Sequence, residues 1–224
     1  MLPSGRSWKI ARRYAGLPLA AGTALAAARR RRAAAPVLAA GLMILVFFRD
    51  PRRPLDPEPD TAYAAADGFI TLVQEDVSVP WMGGRWTRIS TFLSLHNVHI
   101  ARTPAAGILE DWHWLDGKCR AALSPRAAEE NRQARLRITT ADRDDIRVIL
   151  AAGMIARRIT AWVGAGDKLG ADGGEMTRLG LIHFGSRVDV FLPPDWAPLV
   201  GTGMRTHAGV TPIARKAAGE AARR

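Results

Sequence analysis

The chain has 224 residues, 48% of them apolar and 24% charged, enough for one domain with an appendage and a real core. Its net charge of +11 is uneven: residues 1–53 carry eleven Lys/Arg against the single acid Asp50, while basic and acidic side chains nearly balance in the rest of the chain. A nearly neutral body argues against a nucleic-acid groove, and the basic N-terminal part argues for local contact with an anionic surface. The lone Cys119 excludes an internal disulfide and a CxxC metal or redox site.

Residues 1–14 are basic with scattered Trp8, Ile10 and Tyr14, an amphipathic start. Ala15–Ala28 is a run of small apolar residues, Arg29–Arg32 interrupts it, and Ala33–Phe48 is a second apolar run. A spanning helix needs about 20 apolar residues. Both runs are shorter, and charge lies before, between and after them. The pattern predicts two membrane-associating helices that lie on, or dip into, one leaflet, with arginines at the headgroups. A tilted span in the second run and a secretory signal in the first are the alternatives. Pro51, Pro54, Pro57 and Pro59 mark a linker.

Beyond the linker the chain reads as largely β. Candidate strands are Phe69–Val79, Trp86–Leu95, Gly107–Trp114, Ala134–Thr140, Asp145–Ala151, Met154–Val163, Arg178–Phe184 and Arg187–Leu192, divided by Gly, Pro, Asp and Ser punctuation. Met154–Val163 also fits a helix, and Ala127–Ala134 could hold a helical turn. The Ala/Arg-rich tail after Pro212 is expected to fray. The fold class is therefore mainly β, a sandwich or barrel-like hybrid that is α+β overall, with N-terminal helices. The boundaries are 1–53 for the basic, apolar segment and 54–224 for the β domain.

Four features could carry chemistry. Gly185-Ser186 sits between two strand-like runs, where a Gly-Ser turn is the simple reading and a hydroxyl beside an unshielded carbonyl is the other. His96-Asn97-Val98-His99 follows a strand; taken alone it reads as a pair of surface or packing histidines, with acid–base work the alternative, and without a convincing third ligand it argues against a metal. Asp67, in Ala66-Asp67-Gly68, is a turn aspartate or the orienter of an imidazole. Ser94 lies near His96 but lacks the G-x-S-x-G setting of a hydrolase nucleophile.

FFRDPRR (47–53), AADGFI (65–70), STFLSLHNVHIARTPAAG (90–107), SPRAAEENR (124–132) and LIHFGSRVDVFLP (181–193) together resemble the phosphatidylserine decarboxylase proenzyme family, in its shorter bacterial and archaeal form. The resemblance implies a self-cleaving carboxy-lyase. The Ser186 hydroxyl would attack the Gly185 carbonyl, and an ester and β-elimination would follow. A β chain of residues 1–185 would then pair with an α chain of residues 186–224, headed by a pyruvoyl cofactor derived from Ser186. That group would form a Schiff base with the phosphatidylserine amine and release CO2 to leave phosphatidylethanolamine. His99 would be the base, Asp67 would orient it, and His96 would meet the substrate carboxylate or donate the proton. His183 stands where a more ordinary, often basic, strand residue is expected and is assigned to filling the strand. The implied partner is a membrane phospholipid, at the cytoplasmic face of the cell membrane, with peripheral or monotopic attachment. No nucleic acid and no metal are implied, and self-association is left open. A decarboxylase of a related seryl lipid and a non-catalytic lipid-binding domain are the competing readings.

Overall fold

The computed structural model describes residues 5–117, 131–153, 158–183 and 186–217. Cys119, most of SPRAAEENR, the possible helical turn at 127–130, residues 154–157, Phe184 and Gly185, and the last residues of the tail lie outside them. Two compact units form, Met1–Arg52 and Arg53–Arg224.

The first unit is a pair of helices, α1 (Gly5–Ala27) and α2 (Arg31–Phe47). α1 takes in the basic start as well as the first apolar run. The turn between the helices passes through Arg29 at φ 58°, a left-handed conformation suited to reversing the chain. Small residues bring the helices together: a Cβ on Gly22 would lie 2.7 Å from the Leu38 side chain, and one on Gly41 would lie 2.6 Å from that of Leu19. Tyr14 stacks on Phe48. Leu17, Leu42, Met43 and Val46 remain exposed. No helix among the described residues is long and apolar enough to cross a membrane.

The second unit is built from strands. In chain order these are β1 (Thr61–Tyr63), β2 (Gly68–Ser78), β3 (Arg85–Leu93), β4 (Ile100–Arg102), β5 (Gly107–Leu115), β6 (Gln133–Thr139), β7 (Asp145–Ala152) and β8 (Ile159–Ala161). There follow β9 (Lys168–Leu169), β10 (Ala171–Asp172), β11 (Glu175–Met176), β12 (Arg178–Ile182), β13 (Ser186–Leu192), β14 (Trp196–Pro198), β15 (Arg205–Thr206) and β16 (Pro212–Lys216). Eight of them make one antiparallel sheet, in the order β15-β2-β3-β13-β7-β6-β5-β9, curled into a half-barrel. β4, β12 and β8 form a three-stranded sheet, and β1, β16 and β14 another.

Alternation decides the core. Leu136, Ile138, Val148, Leu150, Val188, Val190 and Leu192 point to one face of the large sheet and join Ile70, Ile89 and Leu93 in the main apolar cluster. β13 lies in the middle of that sheet, and every one of its residues is buried. Its other face carries Arg187, Asp189 and Phe191. These are buried too, because Arg187 Nε and Arg88 both donate to Asp189 at 2.7 Å and Arg187 reaches Ser90 Oγ at 2.8 Å.

One expectation fails. The tail as far as Lys216 does not fray; Pro212–Lys216 is the middle strand of its sheet, paired with β1 on one side and β14 on the other. β1 comes from the opposite end of the β unit, and a pairing over that separation is not encoded in local composition. The ambiguous Met154–Val163 stretch contains β8 and, among its described residues, no helix.

Candidate active site

Ser186 opens β13, opposite Leu93 of β3 and Ala152 of β7. Both neighbours belong to the main core, so the Ser186 side chain points to the inner face of the sheet. It is fully buried, and its Oγ has no hydrogen-bond partner among the described residues. An unmet buried hydroxyl costs about 1–3 kcal/mol and is retained where something other than stability requires it.

His99 is buried at the entrance to β4. The turn before it is closed by the Ser94 N–H on Asn97 Oδ1 and the Asn97 N–H on the Ser94 carbonyl, both at 2.9 Å. The His99 carbonyl accepts from the Ile182 N–H at 3.0 Å, which binds it to the end of β12. Its ring Nδ1 lies 3.0 Å from the Asn97 carbonyl oxygen. A carbonyl can only accept, so in the neutral ring Nδ1 carries the proton and Nε2 carries the lone pair of a base.

His183 follows β12 and is 1% exposed. Its Nε2 lies 3.0 Å from Thr160 Oγ1, and its N–H donates to the Arg158 carbonyl. Burial, and then the charges of Arg158 and His99, lower its pKa to about 4. Two imidazoles therefore sit close enough to feel each other's charge, and one of them, His183, comes shortly before Ser186 in the chain. The sequence predicts strand filling for His183; the one signal it offers of anything more is the position of this histidine shortly before the serine. Gly180 allows the packing behind it, since a Cβ there would come within 2.4 Å of the Thr160 carbonyl oxygen.

Asp67 belongs to a different network. Gly68 crosses β3 so closely that a Cβ would overlap the Phe92 carbonyl, and this close approach fixes the start of β2. The buried Asp67 carboxylate is gripped by both guanidinium NH2 groups of Arg53, one at 2.6 Å, and accepts from the Ala208 N–H at 2.8 Å. His207, largely exposed, lies 3.8 Å away. Arg53 also donates its backbone N–H to Glu175, which Arg178 and Arg102 flank at 2.8 and 3.7 Å. Burial alone would raise the Glu175 pKa; the Arg53 N–H, Arg178 and Arg102 outweigh it and hold the carboxyl lower. The structure thus brings Asp67 to Arg53, Ala208 and His207, and among the described residues no hydrogen bond joins it to His99. In the sequence, Arg53 is only one of eleven basic residues ahead of the body.

His96 stands exposed on the turn between β3 and β4. No group of three or more His, Cys, Asp or Glu side chains among the described residues could hold a metal ion.

The profile of the phosphatidylserine decarboxylase family matches residues 41–214. This chain belongs to that family. The phosphatidylserine decarboxylase proenzyme of Gluconobacter oxydans is 44% identical over 76% of each chain. That of Symbiobacterium thermophilum is 41% identical over 79% of this chain and 81% of its own. The proenzyme of Erythrobacter litoralis is 35% identical and aligns over 95% of this chain and 90% of its own, so it takes in the N-terminal unit as well. Members of the phosphatidylserine decarboxylase family are carboxy-lyases. The site residues described above, from Arg53 to Ala208, all lie inside the matched span.

Proposed function

We propose that this chain is a proenzyme that cleaves its own Gly185–Ser186 bond and then decarboxylates phosphatidylserine to phosphatidylethanolamine at a membrane surface. The observation that carries the reading is the buried Ser186 Oγ, without a hydrogen-bond partner among the described residues, at the start of a central strand. Ser186 Oγ attacks the Gly185 carbonyl while His99 Nε2 takes the hydroxyl proton; the amide is replaced by an ester. Loss of the Ser186 α-proton breaks the Cβ–O bond, frees residues 1–185 with a carboxylate, and leaves dehydroalanine. Its hydrolysis releases ammonia and leaves a pyruvoyl group on residue 186.

The conversion replaces the Ser186 hydroxyl and amide nitrogen by a methyl group and a ketone, so it removes the buried hydroxyl that has no partner among the described residues. When present, the pyruvoyl group supplies an electron sink for loss of CO2 from an amino acid. The residues of this chain hold and move protons around it. The Asn97 carbonyl fixes the His99 tautomer. His96, on its exposed turn, would meet the substrate carboxylate or return a proton to the product. Asp67 would orient His99 only by giving up part of its grip on Arg53. The helices α1 and α2, with an exposed apolar surface and arginines in the turn between them, would attach the enzyme to the cytoplasmic face of the membrane.

Intact mass of the purified chain tests the reading. Two species, residues 1–185 and residues 186–224 with a blocked N-terminus, are expected, and Ser186→Ala should give one intact chain and no CO2. A wild-type protein that remains uncleaved and still releases CO2 from the lipid would overturn it.

A further inference from the structure

On the large sheet, the face turned away from Ser186 carries a second polar feature that the chemistry above does not use. Register places His113 of β5 opposite Arg135 of β6, and Arg135 opposite Ile149 of β7; Asp111 is opposite Arg137, and Arg137 opposite Arg147. Residues directly opposite each other share a face, so these side chains stand together on the outer surface. The turn between β2 and β3 folds over them and lays Trp81 under the Arg135 guanidinium, 3.7 Å from ring centroid to cation. Between them is an open cavity of about 420 Å³, lined by Trp81, Trp114 and Leu115 together with Arg135, Arg137 and Arg147.

The charges there are unequally satisfied. Arg147 pairs with Asp145 at 2.7 Å and Arg137 with the same carboxylate at 3.4 Å. The carboxylate of Asp111 is taken by His113. Arg135 has only the Gln133 side-chain oxygen, at 3.1 Å, and the face of Trp81 among the described residues. Burial lowers its pKa, the mark of a cation partly stripped of water. A guanidinium in that state gains most from an anion able to take two parallel N–H donors, which a phosphate does. Around it Trp81 is 43% and Leu115 36% exposed. Large aromatic and apolar side chains beside arginines are the combination that settles at the headgroup level of a bilayer. The rest of the body is close to neutral, so the attraction is local to this face.

We propose that this outer face, centred on Arg135 and Trp81, docks onto anionic phospholipid headgroups, so that the β body touches the bilayer itself instead of relying on α1 and α2 alone. The proposal rests on the reading that the substrate is a bilayer lipid, but its readout needs no catalysis. The full-length chain is mixed with phosphatidylcholine vesicles, with or without phosphatidylglycerol, that carry brominated acyl chains to quench tryptophan fluorescence. Trp81→Phe should reduce the quenched fraction in the anionic vesicles, as should Trp8→Phe, which reports the helical unit separately. Arg135→Gln should weaken partitioning into anionic vesicles about fivefold, and Arg135→Lys, which keeps the charge but loses the planar fork, should restore only part of it.

The proposal is overturned if quenching responds to Trp8→Phe but not to Trp81→Phe, or if Arg135→Gln partitions like the wild type. It is overturned too if inorganic phosphate alone perturbs Trp81 while vesicles do not, which would make this a soluble-anion site. Intact mass of the same samples reports self-cleavage independently, so failure of docking and failure of the proposed chemistry are read apart.

Discussion

Two buried polar regions of the β body solve opposite problems. Around Asp67, charge is met by charge: Arg53 and the Ala208 N–H hold Asp67, and Arg102, Arg178 and the Arg53 N–H hold Glu175. At Ser186 and the two buried histidines, charge is not met in this way. A buried hydroxyl goes unmet, one imidazole has a depressed pKa, and the tautomer of a second is set by a carbonyl. The first arrangement ties the start of the unit to its body, since Arg53 is the first residue of the unit and binds two places on it. The second leaves a hydroxyl unmet at a cost in stability, which the proposed self-cleavage would account for. Full pairing marks architecture and incomplete pairing marks chemistry. The resemblance assigns Asp67 to the chemistry, while its partners in the structure are those of an architectural residue.

The comparison breaks most directly at its extremes. Ser186→Ala should abolish self-cleavage completely while leaving the melting temperature equal to or above that of an uncleaved wild type, because an unmet polar group is removed; a large drop in melting temperature would mean the hydroxyl is structural. Asp67→Ala should cost about 3–5 kcal/mol in denaturant unfolding, since it strands the Arg53 guanidinium, and the double change Asp67→Leu, Arg53→Met should recover much of that loss. Asp67→Asn keeps an acceptor for the Ala208 N–H and removes only the charge. If Asp67 serves the pairing alone, the folded Asp67→Asn variant still cleaves itself; a variant that folds but stays uncleaved returns the residue to the catalytic group.

A smaller effect belongs to His183. Its pKa is about 4 in the fold against the usual 6.5, so the unfolded chain binds the extra proton first. This site should leave stability unaffected above pH 6.5 and remove about 3 kcal/mol as the pH falls from 6.5 to 4. His183→Gln, neutral throughout, should flatten that part of the pH–stability curve; an unchanged slope would mean His183 is already charged or solvated. The smallest effect is expected at Asp76–Arg85, an ion pair of the same chemistry as Asp67–Arg53 but exposed at the hairpin end. Solvent screens it, and Asp76→Asn should not move the unfolding midpoint measurably.

Much of this is legible in the residues. Period-two alternation locates the long strands β2, β3, β5, β6, β7 and β13 to within a few positions, because the side chains of a strand alternate between two faces that differ in environment. The shortest strands escape such a reading: β1, β4, β14, β15 and β16 are too short to carry a period, and their hydrogen bonds go to other segments of the chain. The tail shows this most plainly, where Ala and Arg suggest fraying and a position between two strands imposes order.

The candidate site divides along the same line. Ser186, His96 and His99 stand out as candidates in the sequence because the chemistry proposed for them resides in the residue type and in a short spacing. The sequence by itself also determined that charge would concentrate ahead of residue 54 and that the body would be mainly β. Only the tertiary structure decided which groups share a buried space. It set His183 beside His99, gave Asp67 to Arg53 and not to His99, and gathered Arg135, Arg137 and Arg147 around Trp81. The physical reason is that partnership inside a protein follows from strand register and burial. Both are properties of segments far apart in the chain, and no local pattern of residues contains them.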